Sequence, residues 1–466
     1  MTENADFRHF VSFLHSLAEM LRERRSAKET QRLHPLAINA DEFRLVDLAT
    51  EKFDVVEQLH GHRRIIFQQR RETYSGMFLR MFPAALLQSI WANNDWTYDG
   101  GTRTIFSGEF NLGKILQFLA IRVRVQGQQP RPAANEAHPH AQTNALMTCA
   151  EELAQLFPDK PRHPGSGIMT RLISRFLFSR EYFDDISRNF QSVVSALGEF
   201  VSGDEKLDHF TGNSGHIRKV PNKPARIGLW HYQLVGLLDT DKPYLLDAST
   251  SCPNTSVGES DYMADVVGRW AGIVKRLNRY SPRAQTTITF DAYYTDNNTR
   301  TVLLQNEMKF SGAVKTGRFK ALVNKVKHLV TKPGDFGSLY NPSTNELFTL
   351  CWDENPNLGQ KMVLTNALHH FEGCRHPSFD VPGYSAHGIM FSGCDRFNQY
   401  LSGRMWPFKR GGFQTLGDRA KEDDFIFTSA LLNTWFAVDS INQTPPNSVS
   451  FLEFCNQLSE ELYSHA

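Results

Sequence analysis

Cysteine is scarce in this chain, and its spacing excludes the sites that cysteine usually builds. No two of the six cysteines in the 466 residues form a C-x-x-C pair. They are Cys149, Cys252, Cys351, Cys374, Cys394 and Cys455. We therefore expect neither a disulfide framework nor a cysteine-rich zinc site, and we expect a reducing compartment.

Long apolar runs are also missing. A membrane-spanning helix needs about 18 or more apolar residues in a row, and no stretch approaches that length. The first six residues are acidic in character, and the apolar stretch after them is broken by His9, His15 and Glu19, which is unlike a signal peptide. We expect a soluble intracellular protein with no membrane partner.

The chain also lacks an excess of either positive or negative charge. The chain has 51 Lys and Arg against 50 Asp and Glu, a formal net charge of +1. This balance argues against a histone-like binder of polyanions. It does not exclude nucleic-acid binding, because a basic face can be balanced by acidic residues elsewhere.

What the chain does contain is a change of pattern near residue 200. Before it, helical periodicity dominates, as in residues 7–25. After it, strand patterns at 227–238 and 244–246 suggest a hairpin, followed by alternating helix and strand signals to residue 314. Antiparallel strands are predicted at 346–353 and 361–366. The fold class predicted from this order is a mixed α/β core.

Three carboxylates stand where elements of this core end or turn. Asp239 follows the first strand of the hairpin, Asp291 follows the strand 286–290, and Asp395 lies in a predicted helix, 389–401. Taken singly, the first two are typical of turns and the third is typical of a solvated helix face. If they converge, they need a hard cation, because clustered carboxylates repel each other.

Several motifs, in order, resemble the piggyBac transposase family. Asp204-Glu-Lys-Leu207 followed by Pro221-Asn-Lys-Pro224 is similar to a landmark of that family, and no catalytic role is assigned to Asp204 on that basis. The further motifs are Phe178-Ser-Arg-Glu-Tyr-Phe183, the strand from Gly228 into Asp239-Thr-Asp-Lys-Pro-Tyr-Leu-Leu-Asp247, Asp291-Ala-Tyr-Tyr-Thr295, Phe310-Ser-Gly-Ala-Val-Lys315, Gly393-Cys-Asp-Arg-Phe-Asn-Gln399 and Trp406-Pro407. The resemblance covers roughly residues 82–440.

The resemblance implies an RNase H-like catalytic core with a three-aspartate (DDD) carboxylate set. It implies Asp239, Asp291 and Asp395 as catalytic metal ligands, with Asn398 beside them one helical turn after Asp395. Because the strand before Asp239 is longer than the family pattern, Asp241 remains an alternative first carboxylate. The implied cofactor is two Mg²⁺ or Mn²⁺ ions, with no zinc.

The implied activity is DNA cleavage at transposon ends and strand transfer into TTAA sites. The partners would be double-stranded DNA and a second copy of the chain in a homodimer, with no small-molecule substrate and a nuclear location.

The predicted domains follow one another along the chain. They are an N-terminal helical region (1–80), a helical dimerisation and DNA-binding domain (81–200), the first part of the core (201–315), a β-rich insertion (316–388), the last part of the core (389–440) and a helical tail (441–466).

Basic clusters near the predicted core are the expected phosphate contacts. They are Lys315, Arg318, Lys320, Lys325, Lys327, Arg404, Lys409 and Arg410. Phosphate contact suits such clusters beside a nuclease site, and solvated surface charge is the alternative for each.

Two departures from the family pattern support a second hypothesis about function. Asn398 stands where the family has a fourth carboxylate, and only Cys455 remains after residue 440, where the family has a cysteine-rich zinc domain. A transposon-derived DNA-binding or scaffold protein without catalysis would tolerate both changes.

Overall fold

A computed structural model describes most of the chain from residue 38 onward. The described residues are 38–46, 65–68, 71–93, 97–98, 101–104, 110–127, 182–209, 217–219, 227–238, 242–250, 259–278, 286–353, 355, 357, 359–367, 384–402, 404, 418–444 and 449–466. The chain divides into two units, Met1–Ile38 and Asn39–Ala466, and every described helix and strand lies in the second. The predicted helix at 7–25 lies outside the described residues.

The described elements are ten α-helices and fourteen strands. The helices are α1 (Tyr74–Met81), α2 (Ala84–Asn93), α3 (Leu112–Gly127), α4 (Phe183–Ser192), α5 (Glu259–Asn278), α6 (Asn297–Gln305), α7 (Lys320–Val326), α8 (Tyr384–Ser402), α9 (Asp418–Ile441) and α10 (Phe451–Ser464). The strands are β1 (Arg44–Val46), β2 (Ile66–Phe67), β3 (Thr97–Tyr98), β4 (Gly101–Thr104), β5 (Val194–Ala196), β6 (Phe200–His209), β7 (Ile217–Lys219), β8 (Ile227–Leu237), β9 (Pro243–Thr250), β10 (Thr287–Phe290), β11 (Lys309–Ala313), β12 (Phe336–Asn341), β13 (Glu346–Trp352) and β14 (Gln360–Thr365). None of the described helices combines the length and apolar character that crossing a membrane requires.

A large mixed sheet forms the centre of the described structure. β8 pairs antiparallel with both β6 and β9, and β10 lies parallel between β6 and β11. Parallel neighbours need crossover connections, and α5 and α6 supply them by leading into β10 and β11. The five strands in the order β9, β8, β6, β10, β11 give the RNase H-like arrangement, which confirms the predicted fold class.

The strands of the predicted insertion at 316–388 continue this sheet. β14 pairs antiparallel with the outer edge of β11, and β13, β12 and β1 follow in turn. The predicted strands at 346–353 and 361–366 are thereby confirmed as antiparallel neighbours. The β-rich region shares its hydrogen-bonded sheet with the core because β11 offers an unpaired edge.

Helices cover both faces of β6, whose successive side chains point to opposite faces. On one face, α5 packs so closely that a Cβ on Gly203 would lie 2.3 Å from the ring of Trp270. On the other face, the thiol of Cys394 in α8 lies 3.1 Å from the carbonyl oxygen of Ser202. This packing brings the helix of Asp395 against the central strand.

The sequence did not predict β6 itself as a strand, although it is the central one. Its middle and end carry four charged residues, all buried: Asp204, Glu205, Lys206 and Asp208. Pairing accounts for two of them, because Lys206 forms an ion pair with Asp208, which also lies 3.3 Å from the Nε2 atom of His231. The first two, Asp204 and Glu205, lie close to Asp291.

Candidate metal centre

Asp204, Glu205 and Asp291 bring three carboxylates together at one edge of the sheet. One oxygen from each lies within 4.8 Å of the others. Carboxylate oxygens are hard ligands of the kind that Mg²⁺ and Mn²⁺ prefer. Among the described residues, this is the group of acidic, histidine and cysteine side chains that is suited to holding a metal ion.

The pairing of β6 with β10 explains why these carboxylates meet. The two strands are parallel, with Gly203 beside Phe290 in the register. Asp204 and Asp291 are the next residues of each strand, so they reach the same level of the sheet. The pairing of β6 with β10 thus brings together Asp204 and Asp291, which are nearly ninety positions apart in the sequence.

Burial and mutual repulsion make this group costly without a cation. Burial raises the pKa of Asp204 well above its usual range, and the neighbouring charges of Glu205 and Asp291 raise it further. The backbone N–H of Glu205, which donates to Asp204 Oδ1 at 2.8 Å, opposes the shift only in part. A bound divalent cation would remove the repulsion, so these residues fit a metal site.

The loop after β10 holds Asp291 in place. The backbone N–H of Tyr293 donates to Asp291 Oδ1 at 2.6 Å, and the hydroxyl of Thr295 donates to the Asp291 carbonyl at 3.1 Å. Arg318 fixes the same loop from outside through Nη1, which donates to the carbonyls of Ala292, Tyr293 and Thr295 at 3.0, 2.8 and 3.1 Å. The side chain of Arg318 therefore supports the metal centre.

Arg318→Met is expected to weaken Mn²⁺ binding about tenfold, because residues that hold ligands in place typically contribute that much to metal affinity. The measurement is isothermal titration calorimetry on the full chain. Lys320→Met is the matched control, since Lys320 is exposed on the same segment. Equal Mn²⁺ affinity in the wild type and Arg318→Met would contradict this role.

Asp395 lies on α8 beside the group and outside the set of three. Its side chain is exposed, while Cys394 next to it is fully buried against β6. Burial is the main cause that raises the pKa of the Cys394 thiol, and the charges of both Asp204 and Asp395 add to it. The two carboxylates therefore flank one buried thiol, on the β6 face that carries Asp204.

Asp239, which the resemblance implies as the first carboxylate, follows strand β8. Because β8 runs antiparallel to β6, its last residues lie beside Val201 and the start of β10, at the opposite edge from Asp291. Asp239 and its alternative Asp241 lie outside the described residues, and the strand that leads to them ends away from the carboxylate group.

The expected phosphate contacts fall into exposed and packed side chains. Lys315, Arg318, Lys320 and Lys327 are exposed. Lys315 also lies over the ring of Tyr293, with Nζ 5.8 Å from the ring centroid. This exposed segment adjoins the loop of Asp291, and Lys315, Lys320 and Lys327 are its candidates for phosphate contact, since Arg318 Nη1 donates to the loop carbonyls.

Two other expected contacts are engaged within the protein. Lys325 is half-buried and donates to the carbonyl of Ala40 at 2.5 Å. Arg404 is half-buried with its guanidinium 4.7 Å from the ring centroid of Phe451 and 5.5 Å from that of Trp435. Both contacts anchor elements of the fold, which makes them poor candidates for DNA contact. Lys409 and Arg410 lie outside the described residues.

Comparisons with known proteins found a matching family model and a similar solved structure. Residues 174–375, which include Asp204 and Asp291, match a family model described as Transposase IS4. The structure is similar to the cryo-EM structure of a piggyBac transposase synaptic complex with hairpin DNA, with a TM-score of 0.58 over 86% of this chain and 82% of that one. The fold is similar to that of a piggyBac transposase. At 14% sequence identity the likeness concerns the fold alone, and no curated protein matches the sequence.

The sequence analysis did not assign Asp204 or Glu205 to a metal site. The motif Asp204-Glu-Lys-Leu207 resembles a landmark of the family, but the resemblance places the first carboxylate on the following strand, at Asp239. The available signal was the acidic pair Asp204-Glu205 in the segment 200–209, which precedes the hairpin.

Proposed function

We propose that this protein is a DNA transposase that cleaves and rejoins phosphodiester bonds with the help of Mg²⁺ or Mn²⁺. Its metal centre would consist of Asp204 and Asp291, with Glu205 beside them and Asp395 contributed by α8. The observation that carries the proposal is the group of three carboxylates, two buried and one half-buried, at the edge where β6 and β10 run side by side. The family-model match to a transposase supports it.

In this proposal the chain's own residues orient the reacting groups. Asp204 and Asp291 present oxygens from two rigid strands, and Arg318 holds the loop that carries Asp291. When bound, two divalent cations would polarise the phosphate and help to activate the attacking water or 3′-hydroxyl. Asn398, one turn after Asp395, could add a neutral carbonyl oxygen on the same side of the helix.

DNA is the proposed partner, and the exposed basic side chains suggest its path. Lys315, Lys320 and Lys327 stand on the segment that follows β11, next to the Asp291 loop. Phosphates along this segment would lie near the carboxylate group. Cleavage at TTAA sites, a homodimeric state and work in the nucleus complete the proposal and remain predictions.

The test is nicking of DNA substrates flanked by TTAA, measured with and without Mg²⁺ or Mn²⁺. We expect the wild type to nick only with metal, and Asp291→Asn to be inactive. Glu460→Gln is the control, since this exposed carboxylate on α10 belongs to no site described above. Equal activity in the wild type and Asp291→Asn would refute the proposal.

A non-catalytic DNA-binding protein is the second candidate function. The observation that favours it is Asn398 in place of a fourth carboxylate, which removes one negative charge from the neighbourhood of the metals. The same substrates distinguish the two candidates when binding is followed by fluorescence anisotropy. DNA binding without metal-dependent nicking would favour the non-catalytic protein.

A further inference from the structure

Gln233 is a buried amide with no hydrogen bonds to account for it. Its side chain is 0% exposed on β8, and neither atom of its side-chain amide has a partner among the described residues. Burying an amide without a hydrogen-bond partner destabilises the folded protein. Buried polar side chains in folded proteins nearly always have a hydrogen-bond partner, and the described protein atoms offer none to this amide.

The register places this amide beside the first ligand of the metal centre. Gln233 and Asp204 are direct partners in the antiparallel pairing of β8 with β6. Direct partners project to the same face with Cβ atoms about 4.5–5.5 Å apart, a span that a glutamine side chain covers. α8 closes this face, since the thiol of Cys394 lies 3.1 Å from the Ser202 carbonyl and 3.9 Å from that of Gln233.

Gln233 and Asp291 lie on opposite sides of Asp204. The strands are ordered β8, β6, β10, so Gln233 approaches Asp204 from one neighbouring strand and Asp291 follows the other. A cation between Asp204 and Asp291 would be held by carboxylate oxygens of these two residues. A second oxygen of Asp204 would then be open to a partner from β8, the strand that carries Gln233.

We propose that Gln233 is a positioning residue of the metal centre, whose amide nitrogen donates a hydrogen bond to the Asp204 oxygen turned away from Asp291. This inference rests on the proposed function, because it needs a cation at the carboxylates. A hydrogen bond to a charged oxygen is stronger than one between neutral groups. It fixes the direction in which Asp204 presents its other oxygen, as partners of metal-binding carboxylates commonly do.

The test compares Mn²⁺ binding and metal-free stability in the full chain. Gln233→Met keeps the length of the side chain and removes both polar atoms. We expect its Mn²⁺ affinity, measured by isothermal titration calorimetry, to fall about 10- to 100-fold. Its melting temperature in EDTA should equal or exceed that of the wild type, because a buried amide without a partner is replaced by an apolar group.

Leu234→Met is the matched control. Leu234 is the next residue of β8, fully buried, and it points to the opposite face of the sheet. An exchange of Leu for Met in a core is usually well tolerated, because the two side chains have similar volumes. We expect this variant to bind Mn²⁺ as the wild type does.

The outcomes separate this inference from the proposed function. Unchanged Mn²⁺ affinity in Gln233→Met, beside a wild type that binds Mn²⁺, would overturn the role of Gln233 and leave the metal centre intact. A lower melting temperature of Gln233→Met in EDTA with unchanged affinity would identify a purely structural side chain. A wild type that binds no Mn²⁺ would overturn both the inference and the metal-dependent function.

Discussion

Asp204→Asn is expected to reduce metal-dependent nicking of TTAA-flanked DNA about a thousandfold or more, because it removes a charged ligand from the centre that would polarise the phosphate. The assay is the initial rate of nicking in saturating Mn²⁺, with Mn²⁺ affinity measured in parallel. Without metal, the variant should be more stable than the wild type. The asparagine side chain is uncharged. The ionised side chain of Asp204, in contrast, is destabilised by burial and by the charges of Glu205 and Asp291.

Asp239→Asn and Asp241→Asn are the matched comparison for this prediction. Each removes one carboxylate, as Asp204→Asn does, but they follow a strand that ends at the opposite edge of the sheet from Asp291. We expect both variants to nick DNA at the wild-type rate. Loss of nicking in Asp239→Asn together with a fully active Asp204→Asn would show that the centre has been assigned to the wrong strand.

Arg300→Met is expected to lower the free energy of unfolding by about 3–5 kcal/mol, the usual cost of leaving a buried charge without its partner. Arg300 on α6 is 5% exposed and Glu346 on β13 is 0% exposed. The guanidinium of Arg300 binds both oxygens of Glu346, with Nε 2.6 Å from Oε1 and Nη2 2.5 Å from Oε2. The measurement is urea denaturation in EDTA.

The double variant Arg300→Met/Glu346→Met is the control that isolates the charge. When both partners become apolar, no buried charge is left alone, so most of the lost stability should return. The same pair links the crossover helix before β11 to the strands at 346–365, so a large coupling energy would mean that these strands unfold together with the core. A loss below about 1 kcal/mol in Arg300→Met would contradict the burial of the pair.

Much of the core was predictable from the sequence, because its strands and helices have sequence patterns within short segments. The strand 286–290 has apolar and β-branched residues and ends at Asp291, and the structure contains this strand as β10. The helix of Asp395 and the antiparallel strands at 346–353 and 361–366 were likewise predictable from periodicity. Asp291 was found for the same reason, since it directly follows a recognisable strand.

The basic side chains illustrate where local signals fail. Lys325 and Arg404 look like Lys320 in the sequence, but one donates to the carbonyl of Ala40 and the other lies against the rings of Phe451 and Trp435. Their partners come from distant parts of the chain. Charge in the sequence therefore identified candidate phosphate contacts without separating the exposed residues from the packed ones.

By itself, the sequence determined the fold class, the position of Asp291 and the resemblance to transposases, because strands, turns and ordered motifs are properties of short segments. The tertiary structure alone decided which carboxylate accompanies Asp291. That choice depends on strand direction: β6 runs parallel to β10 and carries Asp204 to the same edge, whereas β8 runs antiparallel and carries its end away. The register of β8 on β6 likewise placed Gln233 opposite Asp204, because pairing between distant strands, and no local pattern, sets which side chains face each other.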